Sequence, residues 1–564
     1  MPVLQRRLLV PALLILLIQQ SSLTQDLQTQ TPDPYKLFIK LKEGSKLLKI
    51  ARTLREHPSK LDTQQQAAEL ISFEASSGIV RLRAVKPEAT LDQLPGGIER
   101  LFVASLAEGT DLTHALDAVR TCDQVEYAEP VNMSGGGDAS IHFTRPTQER
   151  AETFGFPSDY YFSLQFDLHN TGQSDGTRIG IVGADLNVIP AWNITTGSGD
   201  VLVAFLSTGL PANLMEMTNL KYRGYRVFRG YNFVVDNSDF TDDSGIGSDV
   251  AGIAAATGNN NYGIAGVDWK CRILPVKVAD ANFKTSADWV TLGLTYAADQ
   301  GANVICIGCW AMHLESSALK DAVTYATSKG AIIVAPVTAG YSYYNSYPAA
   351  NDRVMFVGST DNQDKRYLST YGRVDFMASG DKNLGLYKTE GMYGNLSGPL
   401  GSAPLVAGVI SLMLSLNKSL TFEEVYDILK ESAVDQIGFP NEDTPGWDQY
   451  YGWGRINAYR ALRLVKERTK EIPGWFGANQ NYPNPFNPAT TIEYDLPKTN
   501  GSKPSQVSLK IYNLLGQPVA TLIDEPQSLG YHHAQWNASA PSGVYFYRLQ
   551  VDDRVVIKKM ILAK

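Results

Sequence analysis

Proton transfer near neutral pH falls most readily to histidine, and this 564-residue chain has seven. His57 and His114 lie toward the N-terminus, His142 in a polar stretch, and His532 and His533 near the C-terminus, leaving His169 and His313 in the long middle region. His169, in FSLQFDLHNTGQ, reads as an exposed polar residue, whereas His313 follows Trp310 in a loop able to approach a cleft. Of the four cysteines, Cys122, Cys271, Cys306 and Cys309, the last two have a C-x-x-C spacing that suits redox or metal chemistry. They sit in GANVICIGCW, a strand-like run that places them on opposite faces, so they read as inert buried thiols. The run YSYYNSY, 341–347, offers Tyr343 and Tyr344 either as a recognition surface or as loop packing.

The elements that must position these groups fall into three units. Residues 1–25 set Arg6 and Arg7 before an apolar run, Leu8 to Ile18, with a polar stretch after it, which is the pattern of a signal peptide. That run is shorter than the roughly 20 residues a membrane span needs, and no later segment is expected to come close. Residues 35–131 read as a small α+β unit, followed by a linker at 132–154 that contains SGGGD. From 155 to 465, short apolar runs (VLVAFL, CRILPVKV, ANVICIG, AIIVAPV, RVMFVGS) alternate with helical stretches such as SADWVTLGLTYAADQ and SALKDAVTYATSKG. Continuous apolar strands between such helices predict a doubly wound α/β fold with a parallel sheet covered on both faces. A connector at 466–480 leads to 481–564, where TTIEYDLP alternates cleanly with Ile492, Tyr494 and Leu496 on one face. An all-β, immunoglobulin-like sandwich is expected there. With 44% apolar and 19% charged residues the chain can bury large cores, and a net charge of −8 without a basic block makes nucleic acid a poor partner.

The middle unit resembles the subtilisin-like serine peptidases, the subtilases of family S8, over roughly 300 residues. FSLQFDLHNTGQ, VLVAFLSTGL, VAGIAAATGNNNYGIAGV, ILPVKV, SYPAANDRVMFVGSTD, GSAPLVAGVISLML and YGWGRINAYRAL occur in the family's order. The preceding unit, ending in THALDAVRTC and QVEYAEPV, resembles the family's propeptide, or inhibitor-type, domain. The resemblance implies an Asp-His-Ser triad, but the positions that should carry it do not. The D-T-G phrase is Ser207-Thr208-Gly209, and the histidine phrase is GIGSDVAG with Ile246 in the histidine's place. The serine phrase is GPLGSAPLVAG with Leu400 in place of the nucleophile. Ser402, two residues on, reads as a helix N-cap. The oxyanion asparagine aligns with Ala339, and Trp310 stands where the family keeps a glycine, partly filling the specificity pocket. In subtilisin, loss of serine or histidine costs on the order of 10⁶-fold, and loss of the oxyanion side chain roughly another 10²–10³.

No cofactor is required by this reading. The resemblance implies a structural calcium held by Asn260 in TGNNNYGIAGV and by Glu216, while the residues alone read equally as an uncharged turn. The last unit, with NYPNPFNPATTI, IYNLLGQPVATL, SGVYFYRLQ and KKMILAK, resembles the type IX secretion sorting domain of certain Gram-negative bacteria. That implies passage through the periplasm, the type IX machinery as partner, and a secreted or cell-surface destination. The expectation is a catalytically inactive subtilase-fold protein that binds a peptide or protein, or serves as a surface scaffold. Two alternatives stand beside it: an active secreted endopeptidase using relocated groups such as His169 or His313, and a partner or inhibitor of an active subtilase acting through residues 35–131. Without a triad, the linker stays uncut unless another protease acts on it.

Overall fold

The computed structural model describes residues 31–49, 77–86, 94–134, 142–144, 157–211, 214–219, 224–309, 316–337, 352–367, 373–469, 476–481, 484–497 and 505–563. The leader-like residues 1–25 lie outside them.

The N-terminal unit comprises β1 (Thr31–Leu41), β2 (Ile79–Ala84), β3 (Leu101–Leu106), α1 (Leu112–Arg120) and β4 (Val125–Ser134). Helix α1 begins where the Asp111 carboxylate accepts the N–H groups of Thr113 and His114, as an N-cap should. β1 pairs antiparallel with β3 and β4, and Leu37, Ile39, Phe102, Ala104 and Val119 fill the core. A short strand, β5 (His142–Thr144), follows.

The middle unit runs through α2 (Val188–Trp192), β6 (Leu202–Ser207), β7 (Thr218–Asn219), β8 (Gly224–Tyr225), β9 (Tyr231–Asn232), α3 (Ile246–Ala255), β10 (Arg272–Lys277) and β11 (Thr285–Ser286). It continues with α4 (Ala287–Asp299), β12 (Val304–Ile307), α5 (Ser317–Ser328), β13 (Ile332–Pro336), β14 (Val354–Thr360), β15 (Phe376–Ser379), β16 (Asn383–Leu386) and β17 (Tyr393–Leu396). Helices α6 (Pro399–Leu416), α7 (Phe422–Ser432) and α8 (Ala458–Arg468) complete it. Seven strands form one sheet in the order β15-β14-β13-β12-β6-β10-β9, and the pairs are parallel. Every residue of β6 is buried, because both faces of the sheet are covered. The strand order reverses beside β6, and in such sheets the crevice for a ligand opens at the carboxyl ends of the strands at that reversal. Ser207 is the last residue of β6. Helix α6 is long and apolar enough to cross a membrane, yet 89% of its window is buried inside this unit.

The C-terminal unit has β18 (Gly477–Ala478), β19 (Ala489–Leu496), β20 (Ser505–Tyr512), β21 (Pro518–Gln527), β22 (Gly530–Asn537), β23 (Gly543–Val551) and β24 (Arg554–Leu562). They form two sheets, β18-β19-β22 and β21-β20-β23-β24, around a core that includes Ile492, Tyr494, Leu496, Leu509, Trp536 and Tyr547. The unit docks on α8 through polar contacts: Tyr459 donates to Asp495 (2.8 Å) and Arg460 to Glu493 (3.1 Å). Arg463 lies over the Tyr531 ring. Burial pushes Asp495 up to about 6 despite the neighbouring Arg463 guanidinium.

Candidate functional site

At the carboxyl end of β6 the Ser207 hydroxyl donates to the Gly308 carbonyl at 2.6 Å. With 1% of its surface exposed, this serine is tied to the end of β12 and supplies no negative charge. Gly308 has to be small: a Cβ there would stand 2.9 Å from Val250 Cγ1 and 3.3 Å from Ser207 Cβ. Ile246 is the first residue of α3 and Leu400 the second of α6. They are 3% and 0% exposed and belong to one continuous apolar core.

Helix α3 has no side-chain cap from Gly245, which sits at φ 111°. Asp242 does that work from three residues upstream. Its Oδ1 accepts from the N–H groups of Ser244 and Gly245 and from the Thr208 hydroxyl, and its Oδ2 from the N–H and hydroxyl of Ser248. Thr208 Oγ1 in turn accepts the Gly247 N–H at 2.8 Å. A carboxylate on the otherwise unpaired N–H groups of a helix start is favourable on both hydrogen-bonding and dipole grounds. Lys277, buried, donates to the Thr208 carbonyl and to Asp243, each at 2.6 Å. Thus the polar groups beside Ser207 hold the loop and the helix start.

One acid here is different. Asp249, one turn into α3, is completely buried, and among the described residues its carboxyl oxygens have no well-formed hydrogen-bond partner, the Gly394 N–H being the backbone donor beside them. It is packed against Gly385 of β16 and Gly394 of β17, where a Cβ would come within 2.5 Å and 2.2 Å of its oxygens. Burial, reinforced by the Asp242 charge, pushes its pKa well above the carboxylate range.

Ser402 does not cap a helix. The N-cap of α6 is Gly398 at φ 79° with Pro399 at the first position, a start set by proline's fixed φ. Ser402 therefore lies inside the first turn, fully buried, with its hydroxyl 3.1 Å from the Ala378 and Ser379 carbonyls of β15. His169 is exposed and stacked on Phe162. It lines a cleft of ≈ 790 Å³ against the C-terminal unit, with Arg455 and Lys558, and Ser207, Ile246 and Leu400 take no part in that lining. His313, Trp310, Ala339, Tyr343 and Tyr344 lie outside the described residues. Cys306 and Cys309 are buried thiols outside any disulfide, and burial raises the Cys306 thiol.

A second cluster surrounds Glu216, in the turn Met215–Met217. Its Oε1 accepts the Ile264 N–H (2.9 Å) and its Oε2 the Asn260 amide (3.2 Å). Asn260 Oδ1 accepts from Tyr262 N–H. Asp159, which the sequence did not single out, accepts the N–H groups of Asn259 (2.6 Å) and Asn260 (3.3 Å). Gly263 at φ 45° is required, since a Cβ would lie 1.8 Å from Glu216 Oε1. Burial, with the charges of Asp159 and Glu390, pushes Glu216 up to about 9, and burial pushes Asp159 up to about 6. Among the described residues no basic side chain forms an ion pair with either acid. Among the described residues no three His, Cys, Asp or Glu side chains gather as a metal cluster. Two buried carboxyls on a loop of amide and carbonyl oxygens nevertheless form a donor set that suits a hard cation.

The N-terminal unit is bound to the middle one by specific contacts. Lys36 pairs with Asp288 (2.9 Å) and Lys40 with Asp321 (2.8 Å), which also accepts from the Tyr127 hydroxyl. The Glu129 carboxylate accepts the Ser316 hydroxyl (2.8 Å) and the Ala318 N–H (3.0 Å) at the start of α5. β4 pairs antiparallel with β11, so the N-terminal sheet takes its fifth strand from the middle unit.

Comparison with known proteins agrees with this architecture. Residues 198–454 match the model of the subtilase family, and residues 480–563 that of the secretion system C-terminal sorting domain. Thermitase of Thermoactinomyces vulgaris is 36% identical over 275 residues, which cover 48% of this chain and 92% of that protein. A thermophilic serine proteinase of a Bacillus species is 34% identical over 276 residues, 48% of this chain and 64% of that protein. The cell wall-associated protease of Bacillus subtilis is 31% identical over 356 residues, and there the match spans 59% of this chain but only 38% of the relative. The sorting domain marks a secreted or cell-surface protein that interacts with secretion machinery. The fold, the matched span and the coverage of thermitase lead to one conclusion: the chain belongs to the subtilase family and carries a C-terminal secretion sorting domain.

Proposed function

We propose that this protein is a subtilase that has lost peptide hydrolysis and acts at the cell surface or outside the cell by binding. The observation that carries this reading is the burial of Ser207, Ile246 and Leu400, with the Ser207 hydroxyl held by Gly308. A triad works because a carboxylate orients an imidazole that takes a proton from the serine. An isoleucine can take no proton and a leucine has no hydroxyl to lose, so neither half of that relay has an atom to act with. Ala339 adds the loss of the side-chain oxyanion donor, and Trp310, Tyr343 and Tyr344 are the candidate contacts for a peptide or protein ligand. Relocated groups find no support at His169, which faces the C-terminal unit. The inhibitor-type N-terminal unit is engaged with its own chain through β11, so action on another subtilase would first require its release.

Glu216, Asn260 and Asp159 are the residues that would hold a structural calcium. The ion would neutralise two buried acids and fix the 258–264 loop against the turn at 215–217. The route of export is a leader at 1–25 into the periplasm, then the type IX machinery reading residues 481–564. The test of inactivity is covalent labelling: a fluorophosphonate probe is expected to leave every serine between 155 and 465 unmodified, and a modified serine would defeat the reading.

A further inference from the structure

The C-terminal unit is held against the middle one by Tyr459, Arg460 and Arg463 of α8, which reach Asp495 and Glu493 of β19. Between the same two units lies the ≈ 790 Å³ cleft that His169 lines. That volume is ordinary for a small-molecule site, and such sites favour the seam between units. The apolar lining comes from both sides: Val182 and Ile189 from the middle unit, and Phe476, Val556 and Ile561 from the C-terminal unit. On the C-terminal wall, Gln480 donates to the Lys559 carbonyl (2.6 Å) and the Ile561 N–H donates to Asn484 (2.8 Å), while the Ile561 carbonyl accepts from Phe486. At Lys559 and Ile561 the edge of β24 is therefore closed to an added strand. On the middle-unit wall the Asp185 carboxylate accepts the N–H groups of Asn170 and Asn187, each at 2.7 Å, and is neighboured by Arg455, which pairs with Asp364 at 2.9 Å. One charge is left over. Lys558 alternates inward on β24 with Val556 and the buried Met560, lines the cleft half-buried, and among the described residues pairs with no carboxylate. Burial lowers its pKa and no neighbouring acid raises it. Asn479, on the same wall and 8% exposed, has an amide nitrogen without a well-formed acceptor among the described residues, the Tyr459 hydroxyl being the polar group beside it.

We infer that this cleft is a binding site for a small amphipathic acid, with an apolar body between Val182, Ile189, Phe476 and Val556 and a carboxylate held by Lys558. A half-buried ammonium without a counter-charge is unfavourable, and a carboxylate supplies the charge the wall lacks through a charge-assisted hydrogen bond. Apolar walls with one unmatched cation select a ligand that is mostly hydrocarbon and singly acidic. A molecule touching both walls binds only while the two units stay docked, so its binding favours the docked arrangement. The inference goes beyond the loss of hydrolysis proposed above, and Ser207, Ile246 and Leu400 take no part in it.

The experiment uses the full chain, with octanoate, 1-octanol and acetate as probes in isothermal titration calorimetry at low salt. Octanoate is expected to bind at least ~10-fold more tightly than either of the others, since 1-octanol lacks the charge and acetate the apolar body. Lys558→Met keeps the apolar stem and removes the cation. It is expected to weaken octanoate at least ~10-fold, as loss of a hydrogen bond to a charged group requires, and to leave 1-octanol unchanged. Val182 is 55% exposed, so Val182→Glu is expected to fold and to set a negative charge on the opposite wall. It is expected to weaken octanoate ~3-fold or more. Unchanged octanoate affinity in either variant would overturn the inference, as would equal binding of octanoate and 1-octanol or no binding of octanoate to the unmodified chain. Circular dichroism of both variants is expected to match the unmodified chain. Because the two substitutions lie on different units, a loss in both also places the ligand at the seam.

Discussion

Leu400→Ala measures what the nucleophile's position has become. Leu400 is 0% exposed, lies in the first turn of α6 and belongs to the main core. Truncating a leucine in such a setting costs roughly 2.7–5.0 kcal/mol, from lost transfer free energy plus the cavity left behind. Relaxation here is limited. α6 is packed along its length, and Gly398 and Pro399 fix its start. A value of about 3–4 kcal/mol is expected. For a domain of this size each kcal/mol moves the thermal midpoint by roughly 2–4 °C, so the transition of the middle unit should fall by about 6–16 °C. Scanning calorimetry, with near-ultraviolet circular dichroism to confirm native packing at 20–25 °C, reads this directly. A loss below about 1 kcal/mol would refute the reasoning, because it would mean that the side chain stands in an open cleft of the kind a nucleophile needs. Leu400→Ser should lose comparable stability and gain no hydrolysis, since position 246 still provides no base.

Asp249 makes a pH prediction. Its folded-state pKa is raised, so the stability of the neutral acid is fully present below the unfolded value of about 3.9 and is lost as pH rises toward the folded pKa. Asp249→Asn stays neutral, so urea midpoints of the unmodified chain should decline relative to the variant as pH rises above the unfolded value of about 3.9; parallel curves would contradict this. For the candidate calcium loop, free calcium at about 100 times its Kd should stabilise the unmodified chain by about 2.7 kcal/mol. Glu216→Gln should abolish that gain, and an equal gain in both proteins would place the ion elsewhere.

Much of the middle unit was legible because its strands are buried on both faces. CRILPVKV, ANVICIG and AIIVAPV contain the observed strands whole, and VLVAFL and RVMFVGS fall one residue short at the C-terminal end, since a continuous apolar run between turn signals has few other uses. The buried thiols of Cys306 and Cys309 and the exposed ring of His169 followed from the same reasoning. Ser402 did not, because serine before Ala-Pro looks like a cap until Gly398 and Pro399 are seen to start the helix three residues earlier. Asp242 as the anchor of α3 and Asp159 as a neighbour of Glu216 were not legible either. Their partners are mostly backbone N–H groups brought close by loops, with two hydroxyls at Asp242, and an aspartate in a polar loop carries no periodic signal. The pairings of β4 with β11 and of β5 with β17 join residues more than a hundred positions apart. Short strands at such separations leave no local pattern, so these two pairings became visible only in three dimensions.

The most direct measurement is fluorophosphonate labelling of the purified full chain, followed by intact mass and peptide mapping, with an active subtilase labelled in parallel. An unchanged mass is expected under conditions in which the active enzyme is fully modified. Covalent labelling of any serine between 155 and 465, Ser207 and Ser402 included, would contradict it.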